Sequence, residues 1–420
     1  MSLRHKIYNI LRRSEKYTKT DMVYLAKGGA WLTAGQVISI ISAFLLAVAF
    51  ANLLPKETFG TYRYVLSIVS ILAIPTLGGI NTSITQAVAK GYNGSLIPFL
   101  KTRIRWGLLG ALASIGLSLY YYLNGQETLT ISFLIAAIFL PFMDPLNIYG
   151  SFLSGKKLFN ISSKYSIITK VIATLLMLSV LFFSTNIFLI IFTYFISYTI
   201  IRFAFLQITL KKYTFNKEKD QSIITYGKHL SLMGVISGIA QHLDKILVFH
   251  YLGAAELAIY SFAITIPEQI KGIFKNIHVL AFPKFAAKTT AEIKKTIYKK
   301  MVKLIILATL VTVVYIFMAP FIYQVFFPQY IESVLYSQIF AISIILLPTG
   351  LIIIALQSQK AQKTLYKFNT YSPIAQIVIL FIFVYFYGLI GLIIARILIR
   401  VVNAIISMLL LKQIKPDSIQ

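Results

Sequence analysis

Apolar residues recur along this chain in runs of about 20 positions separated by short polar breaks, the length an α-helix needs to cross roughly 30 Å of hydrocarbon. The breaks predict helices near 28–54, 62–89, 104–124, 128–152, 163–184 and 186–210. A second set is predicted near 226–252, 258–284, 302–327, 331–357, 369–387 and 389–411. These segments are long and apolar on all faces, whereas barrel strands would be short and alternating, so the pattern predicts helices. The expectation is an all-α membrane protein of about twelve transmembrane helices. The first 27 residues lack an apolar core, which predicts no cleavable signal peptide.

Charge orients these spans. Of the Lys and Arg residues in the predicted loops and tails, seven lie in 1–27, four in 90–105, three in 156–164, five in 211–228 and seven in 284–303. Three more lie in 360–367 and two in 412–415, giving 31, whereas the intervening loops hold Lys56 alone beside Glu57, Glu127, Glu256 and Glu332. Lys and Arg accumulate on the cytoplasmic side, so both termini are expected inside a plasma (inner) membrane, with an even number of spans. Residues 3–17 place Leu3, Ile7, Ile10 and Leu11 on one helical stripe ringed by Arg4, Lys6, Arg12, Arg13 and Lys16. That pattern fits a basic amphipathic helix on anionic membrane lipids, or a solvated basic tail. The predicted organisation is a cytoplasmic segment 1–27, an N-lobe 28–210, a cytoplasmic linker 211–225, a C-lobe 226–411 and a tail 412–420.

Composition narrows the chemistry. With 58% hydrophobic and 13% charged residues, the apolar surface exceeds what one water-soluble core can bury. The net charge of +27 follows the loop pattern, and no nucleic-acid partner is expected. There is no cysteine and only five histidines, none paired at metal-ligand spacing, so neither disulfides, a metal site nor a cofactor is expected. No Walker-type nucleotide loop is present, which argues against direct ATP hydrolysis.

The second half matches the first at an ungapped offset of 198. Gly29 falls on Gly227, Val37 on Val235, Ser39 on Ser237, Leu54 on Leu252, Tyr62 on Tyr260 and Ala89–Lys90 on Ala287–Lys288. Equivalent residues thus open each six-helix half, and a parallel repeat of this kind predicts two lobes around a midplane cavity. The stretches Lys27–Trp31 (KGGAW), Leu54–Tyr64 (LPKETFGTYRY) and Gln241–Tyr260 (QHLDKILVFHYLGAAELAIY) resemble the signature of Wzx-type polysaccharide and lipid-linked oligosaccharide flippases. These belong to the multidrug/oligosaccharidyl-lipid/polysaccharide superfamily, and the likeness extends over roughly 20–290. It departs from the family pattern where Gly60 is answered by Ala258. The resemblance implies a MATE-like fold and a transporter rather than an enzyme. It also implies a lipid-linked oligosaccharide with an anionic diphosphate as substrate, H⁺ or Na⁺ as a coupling ion, and a polysaccharide polymerase or chain-length protein as a partner.

Ionisable residues inside spans cost a few kcal/mol each and mark cavities or partners. Cations occur at Arg63, Lys170, Arg202, Lys245, Lys271, Lys275, Arg396 and Arg400, and acids at Asp144, Asp244 and Glu268. Arg63 and Arg400 could snorkel at interfaces; the other cations, and Arg400 if it faces inward, are candidates for a cationic substrate cavity. Glu268, Lys271, Lys275 and His278 follow a 3-4-3 spacing and share one helical face. That face either offers its lysines to an anion or closes on itself as a Glu268–Lys271 pair. His242 and Asp244 stand within one turn of Lys245, suited either to ion coupling or to neutralising a neighbouring cation. Asp144, in Pro141–Pro145 (PFMDP), either serves a ligand or an ion at a helix break or caps the helical restart, and with His242, Asp244 and Glu268 it is a candidate for ion coupling or gating. Pro75, Pro267, Pro320, Pro348 and Pro373 mark further candidate bends.

Three functions fit a membrane protein of this length. A flippase suits the intramembrane cations, since Arg and Lys bind phosphate as a planar fork and a point charge. An antiporter for cationic drugs would need an acidic cavity, whereas intramembrane cations outnumber acids eight to three. A glycan polymerase or ligase would need a large outer loop, and every predicted outer loop is about ten residues or shorter. A reporter-fusion scan tests the topology: residues 211–228 should read cytoplasmic, and an external signal there would overturn the twelve-span, both-termini-inside arrangement.

Overall fold

A computed structural model describes residues 22–213, 218, 221–286, 288–359 and 361–413, excluding the side chains of 22–30, 32, 221–223, 273–280, 282–284, 286 and 362. The amphipathic stripe 3–17, residues 214–217, 219 and 220 of the linker and the tail beyond 413 therefore lie outside the described residues. So do the side chains of Lys275 and His278. Among the described residues all regular structure is helical. The first set of helices is Met22–Leu53 (α1), Lys56–Leu72 (α2), Ile80–Ala89 (α3), Leu96–Leu123 (α4), Glu127–Met143 (α5), Ile148–Gly155 (α6), Phe159–Phe183 (α7) and Ile187–Lys212 (α8). The second is Gln221–Met233 (α9), Val235–Leu252 (α10), Ala254–Ala286 (α11), Thr290–Phe326 (α12), Ser333–Ala341 (α13), Gly350–Ser358 (α14) and Gln362–Gln413 (α15). Among the described residues eight helical stretches are long and apolar enough to cross a bilayer, and two bent pairs bring the total to ten.

Local sequence explains where these helices begin and break. Asn186 caps α8 by accepting from the backbone N–H of Phe188 at 2.9 Å, and Thr289 with Glu292 forms a capping box at the start of α12. Four prolines coincide with 3-10 segments: Pro75 in 74–76, Pro145 in 145–147, Pro328 in 328–330 and Pro348 in 342–349. The α2–α3 and α9–α10 pairs bend by 43° and 40°. Pro320 and Pro373, by contrast, lie inside continuous helices. At Gly388 the backbone turns to φ 58° and ψ −138°. A Cβ on Gly391 would stand 2.1 Å from the carbonyl oxygen of Phe383, although residues eight apart in a straight helix are about 12 Å apart. The chain reverses there, so α15 is a helical hairpin with arms 362–387 and 389–413.

The first set packs α4 along α5 and α1 along α7, and the second packs α10 along α15 and α12 on the segment 342–349. The two sets meet where α2 lies on α10 and α11, and where α3 lies on α9. At the charge-poor end Phe59 meets Phe262 with ring centroids 4.8 Å apart, and Phe262 meets Tyr330 at 4.0 Å. Asn52 donates to the carbonyl of Phe326 at 2.9 Å, and Lys56 pairs with Glu332. At the basic end the Gly79 N–H donates to Ser231 Oγ at 3.0 Å. The lobes thus touch at both ends and enclose a space between them.

Gly60 sets the closeness of the charge-poor contact, because a Cβ there would lie 1.8 Å from the carbonyl oxygen of Ala254. Overpacking of this kind typically costs about 1–3 kcal/mol. Gly60→Val should part the lobes at this end. Spin labels at positions 56 and 332, in this cysteine-free chain, should report a longer distance by pulsed electron resonance; an unchanged distance would show that the contact does not depend on Gly60.

Candidate functional site

A cavity of about 720 Å³ lies between the two sets of helices. Tyr62 and Arg63 of α2, Lys170 of α7, and Tyr194 and Tyr198 of α8 line one wall. Opposite stand His242, Asp244 and Lys245 of α10, Glu268 and Lys271 of α11, and Arg396 of α15. Five cations against two acids leave a net excess of three positive charges on the lining, with histidine neutral.

The acids are already engaged. Asp244 is 1% exposed; its carboxylate accepts from Tyr260 Oη at 2.6 Å and from the Lys245 N–H at 2.9 Å, and it lies 3.6 Å from Arg396. Glu268 accepts from Arg396 at 3.1 Å and Arg400 at 2.8 Å, and pairs with Lys271 at 3.2 Å. Arg400 also donates to Ser343 Oγ at 2.6 Å and lies over the Phe340 ring. It stands inside the C-lobe at this acid, away from any snorkelling position. Of the two readings of the 268–278 face, the structure forms the Glu268–Lys271 pair.

In the first set Arg202 donates to Asp144 Oδ1 at 3.0 Å and to the Met143 carbonyl at 2.6 Å. Asp144 makes no side-chain cap on the segment that follows it; its role at this break is the ion pair. Arg103, which the sequence pattern assigns to a loop, is 2% exposed. It donates to the Thr76 carbonyl at 2.9 Å and to Asn81 Oδ1 at 2.8 Å, bracing the break between α2 and α3.

What remains is cationic. Arg63, Lys170 and Lys245 line the cavity and form no ion pair among the described residues. Arg63 Nε is buried without a hydrogen-bond partner, as is His242 Nδ1. The sequence reading that sent Arg63 to the interface starts its helix at 62. The helix begins at Lys56, behind Pro55, and so carries Arg63 about 10 Å inward. Gln241, Gln269 and Gln376, along with the tyrosines, complete a polar wall that periodicity alone did not single out. Unpaired cations in a low-dielectric chamber attract an anion and hold it with charge-assisted hydrogen bonds. Among the described residues no group of acids and histidines could hold a metal ion.

The arrangement of helices is similar to that of solved transporters of the MOP superfamily. A multidrug-resistance MATE family transporter in an outward-facing conformation is similar at a TM-score of 0.63 and 14% identity, over 92% of this chain and 94% of that one. The lipid II flippase MurJ, in an inward closed conformation, is similar at 0.62 and 16% identity, over 91% and 87%. A MOP superfamily transporter from Pyrococcus furiosus, described as having a binding pocket of reverse polarity, is similar at 0.55 and 12%, over 92% and 95%. A comparison with curated protein sequences finds no match. The polysaccharide biosynthesis protein family matches residues 25–288, and the chain belongs to that family.

Paired and unpaired cations should respond differently to charge reversal. Removing one partner from a buried ion pair typically costs about 3–5 kcal/mol. Arg396→Glu sets a third carboxylate beside Asp244 and Glu268, so the yield of monodisperse protein on size exclusion should fall sharply. Arg63→Gln, which leaves no acid behind, should keep a normal yield. Equal yields for the two would contradict the division into structural and free cations.

Proposed function

We propose that this protein is a flippase that carries a polyprenyl-diphosphate-linked oligosaccharide across the plasma membrane by alternating access, in cell-surface polysaccharide biosynthesis. The observation that carries this reading is the excess of three positive charges on the cavity lining, with Arg63, Lys170 and Lys245 free of acid partners among the described residues. A diphosphate supplies the missing anions. In this reading the chain crosses the membrane twelve times, counting α11 and both arms of α15, with 28–210 and 226–411 as lobes and both termini in the cytoplasm. A polymerase or chain-length protein would act next on the exported glycan.

The membrane potential favours this direction of transport. An anion leaving an inside-negative cell gains about 2.3 kcal/mol per charge per 100 mV, so two uncompensated phosphate charges gain roughly 4.6 kcal/mol. Coupling to H⁺ or Na⁺ fits the same site. Neutralising Asp244 or Glu268 with an entering cation would release Arg396 from one of its two acids and free part of its guanidinium for the phosphate. The competing reading, an antiporter for cationic drugs, is disfavoured because both cavity acids are engaged by arginine.

Export assays on cells test the substrate charge. Arg63→Ala and Lys245→Ala should each lower glycan export by roughly tenfold or more at normal protein level, since a charge-assisted hydrogen bond is worth about 1.5–3 kcal/mol. Normal export in both variants, or resistance to cationic drugs conferred by the wild type, would overturn the flippase reading.

A further inference from the structure

Two side pockets open from the central cavity, one in each lobe, and they occupy equivalent places in the repeat. The N-lobe pocket, of about 310 Å³, shares Lys170, Tyr194 and Tyr198 with the central cavity and includes Tyr149 and Arg202. The C-lobe pocket, of about 560 Å³, shares Glu268 and Lys271 with it and includes Leu347, Phe368 and Arg400. At the offset of 198, Tyr149 falls on Leu347, Lys170 on Phe368 and Arg202 on Arg400. Each arginine reaches back to the broken helix of its own lobe, Arg202 to Met143 and Asp144, and Arg400 to Ser343. The framework has therefore been kept while the lining has diverged: a phenol and an ammonium in one lobe, an isobutyl group and a phenyl ring in the other.

The two linings suit opposite ends of an amphiphile. The N-lobe pocket adds the hydroxyls of Ser39, Ser166 and Thr169 to its tyrosines and Lys170. Tyrosine rings offer flat faces to the C–H side of a sugar, and the hydroxyls and ammonium offer hydrogen bonds to its edge. The C-lobe pocket also holds Thr349 and Asn403, but Leu346, Leu347 and Phe368 beyond Lys271 make most of its exposed wall apolar, and a sugar lying against that wall would leave the hydroxyls on that side unpaired. A hydrocarbon chain there loses only contact with water. Between the two, Arg63 and Lys245 stand in the central cavity.

We propose that the repeat-equivalent pockets sort the two ends of the substrate, the N-lobe pocket taking the sugar next to the diphosphate and the C-lobe pocket the first isoprene units of the chain. This rests on the substrate class proposed above, and it adds a direction: the bound molecule lies across the cavity with its glycan in the N-lobe. Nothing beyond the substrate's own amphiphilicity is needed, because each pocket opens directly onto the phosphate-binding centre.

Photolabelling of the purified protein in lipid nanodiscs tests the arrangement. The probes are geranylgeranyl diphosphate with a diazirine on its terminal isoprene, and geranylgeranyl-diphosphate-linked N-acetylglucosamine with a diazirine on the sugar. The tail probe should mark peptides containing Leu347 or Phe368, and the sugar probe peptides containing Tyr149 or Lys170, each displaced by unlabelled geranylgeranyl diphosphate. Phe368→Lys, which writes the N-lobe residue into the C-lobe, should weaken geranylgeranyl diphosphate binding about tenfold, equivalent to roughly two buried methylenes, and shift inorganic pyrophosphate binding less than about twofold. Saturable binding with both labels in one pocket, with the labels exchanged, or with label at Phe368 that geranylgeranyl diphosphate does not displace overturns the sorting while leaving the flippase reading intact. No saturable binding of either probe rejects that reading, and the sorting with it.

Discussion

A guanidinium placed among hydrocarbon must find anions, and the position it finds them in becomes a constraint on every helix that supplies one. Arg396, on the second arm of α15, meets this demand with Asp244 of α10 and Glu268 of α11. Tyr260 tightens the first contact and Arg400 the second. Three helices are thereby held at fixed rotations about their axes, and the polar faces they turn inward become the wall of the cavity. A tight apolar core could hold the same helices together. It would not specify which face looks inward, and a displaced acid would leave a buried charge alone at a cost of several kcal/mol.

The same accounting separates two kinds of cation that composition cannot distinguish. Arg202, Lys271, Arg396 and Arg400 have carboxylates within 4 Å and belong to the frame. Arg63, Lys170 and Lys245 have none among the described residues and give the cavity its sign. Because the acids are consumed inside the lobes, the field between the lobes is set by the leftovers, an arrangement suited to a polyanion and unsuited to a cationic drug. One scaffold can carry either chemistry, and the difference lies in a few side chains.

Much of this was readable from the sequence, for reasons that also mark where reading stopped. Runs of about 20 apolar residues located the helices, and the interruption at Gly388 separated the last two, because a glycine between two such runs needs no other explanation. The 3-residue spacing of Glu268 and Lys271 offered their pair as one of two readings. Arg63 and Arg103 were misplaced for one common reason: helices α2 and α4 start well before their apolar runs do, so Arg63 was read as a residue at the interface and Arg103 as part of a loop. Helix length is set by capping and packing, and hydropathy sees only the greasy part. That Asp244 and Glu268 converge on Arg396, more than 120 positions away, is tertiary information, which no local spacing contains.

The reversal at Gly388 has a consequence for how the chain meets its surroundings. With φ positive there and residues 383 and 391 nearly touching, the two arms of α15 are joined by a single hinge residue and leave no connecting loop. The exposed rings of Tyr385, Phe386 and Tyr387 sit immediately beside it, in the composition that favours the lipid headgroup zone. This corner offers a protease or an antibody no free strand to grip. It also ties the last helix to its predecessor during assembly: neither arm can be drawn out of the bilayer, or inserted into it, without the other following as its hairpin mate.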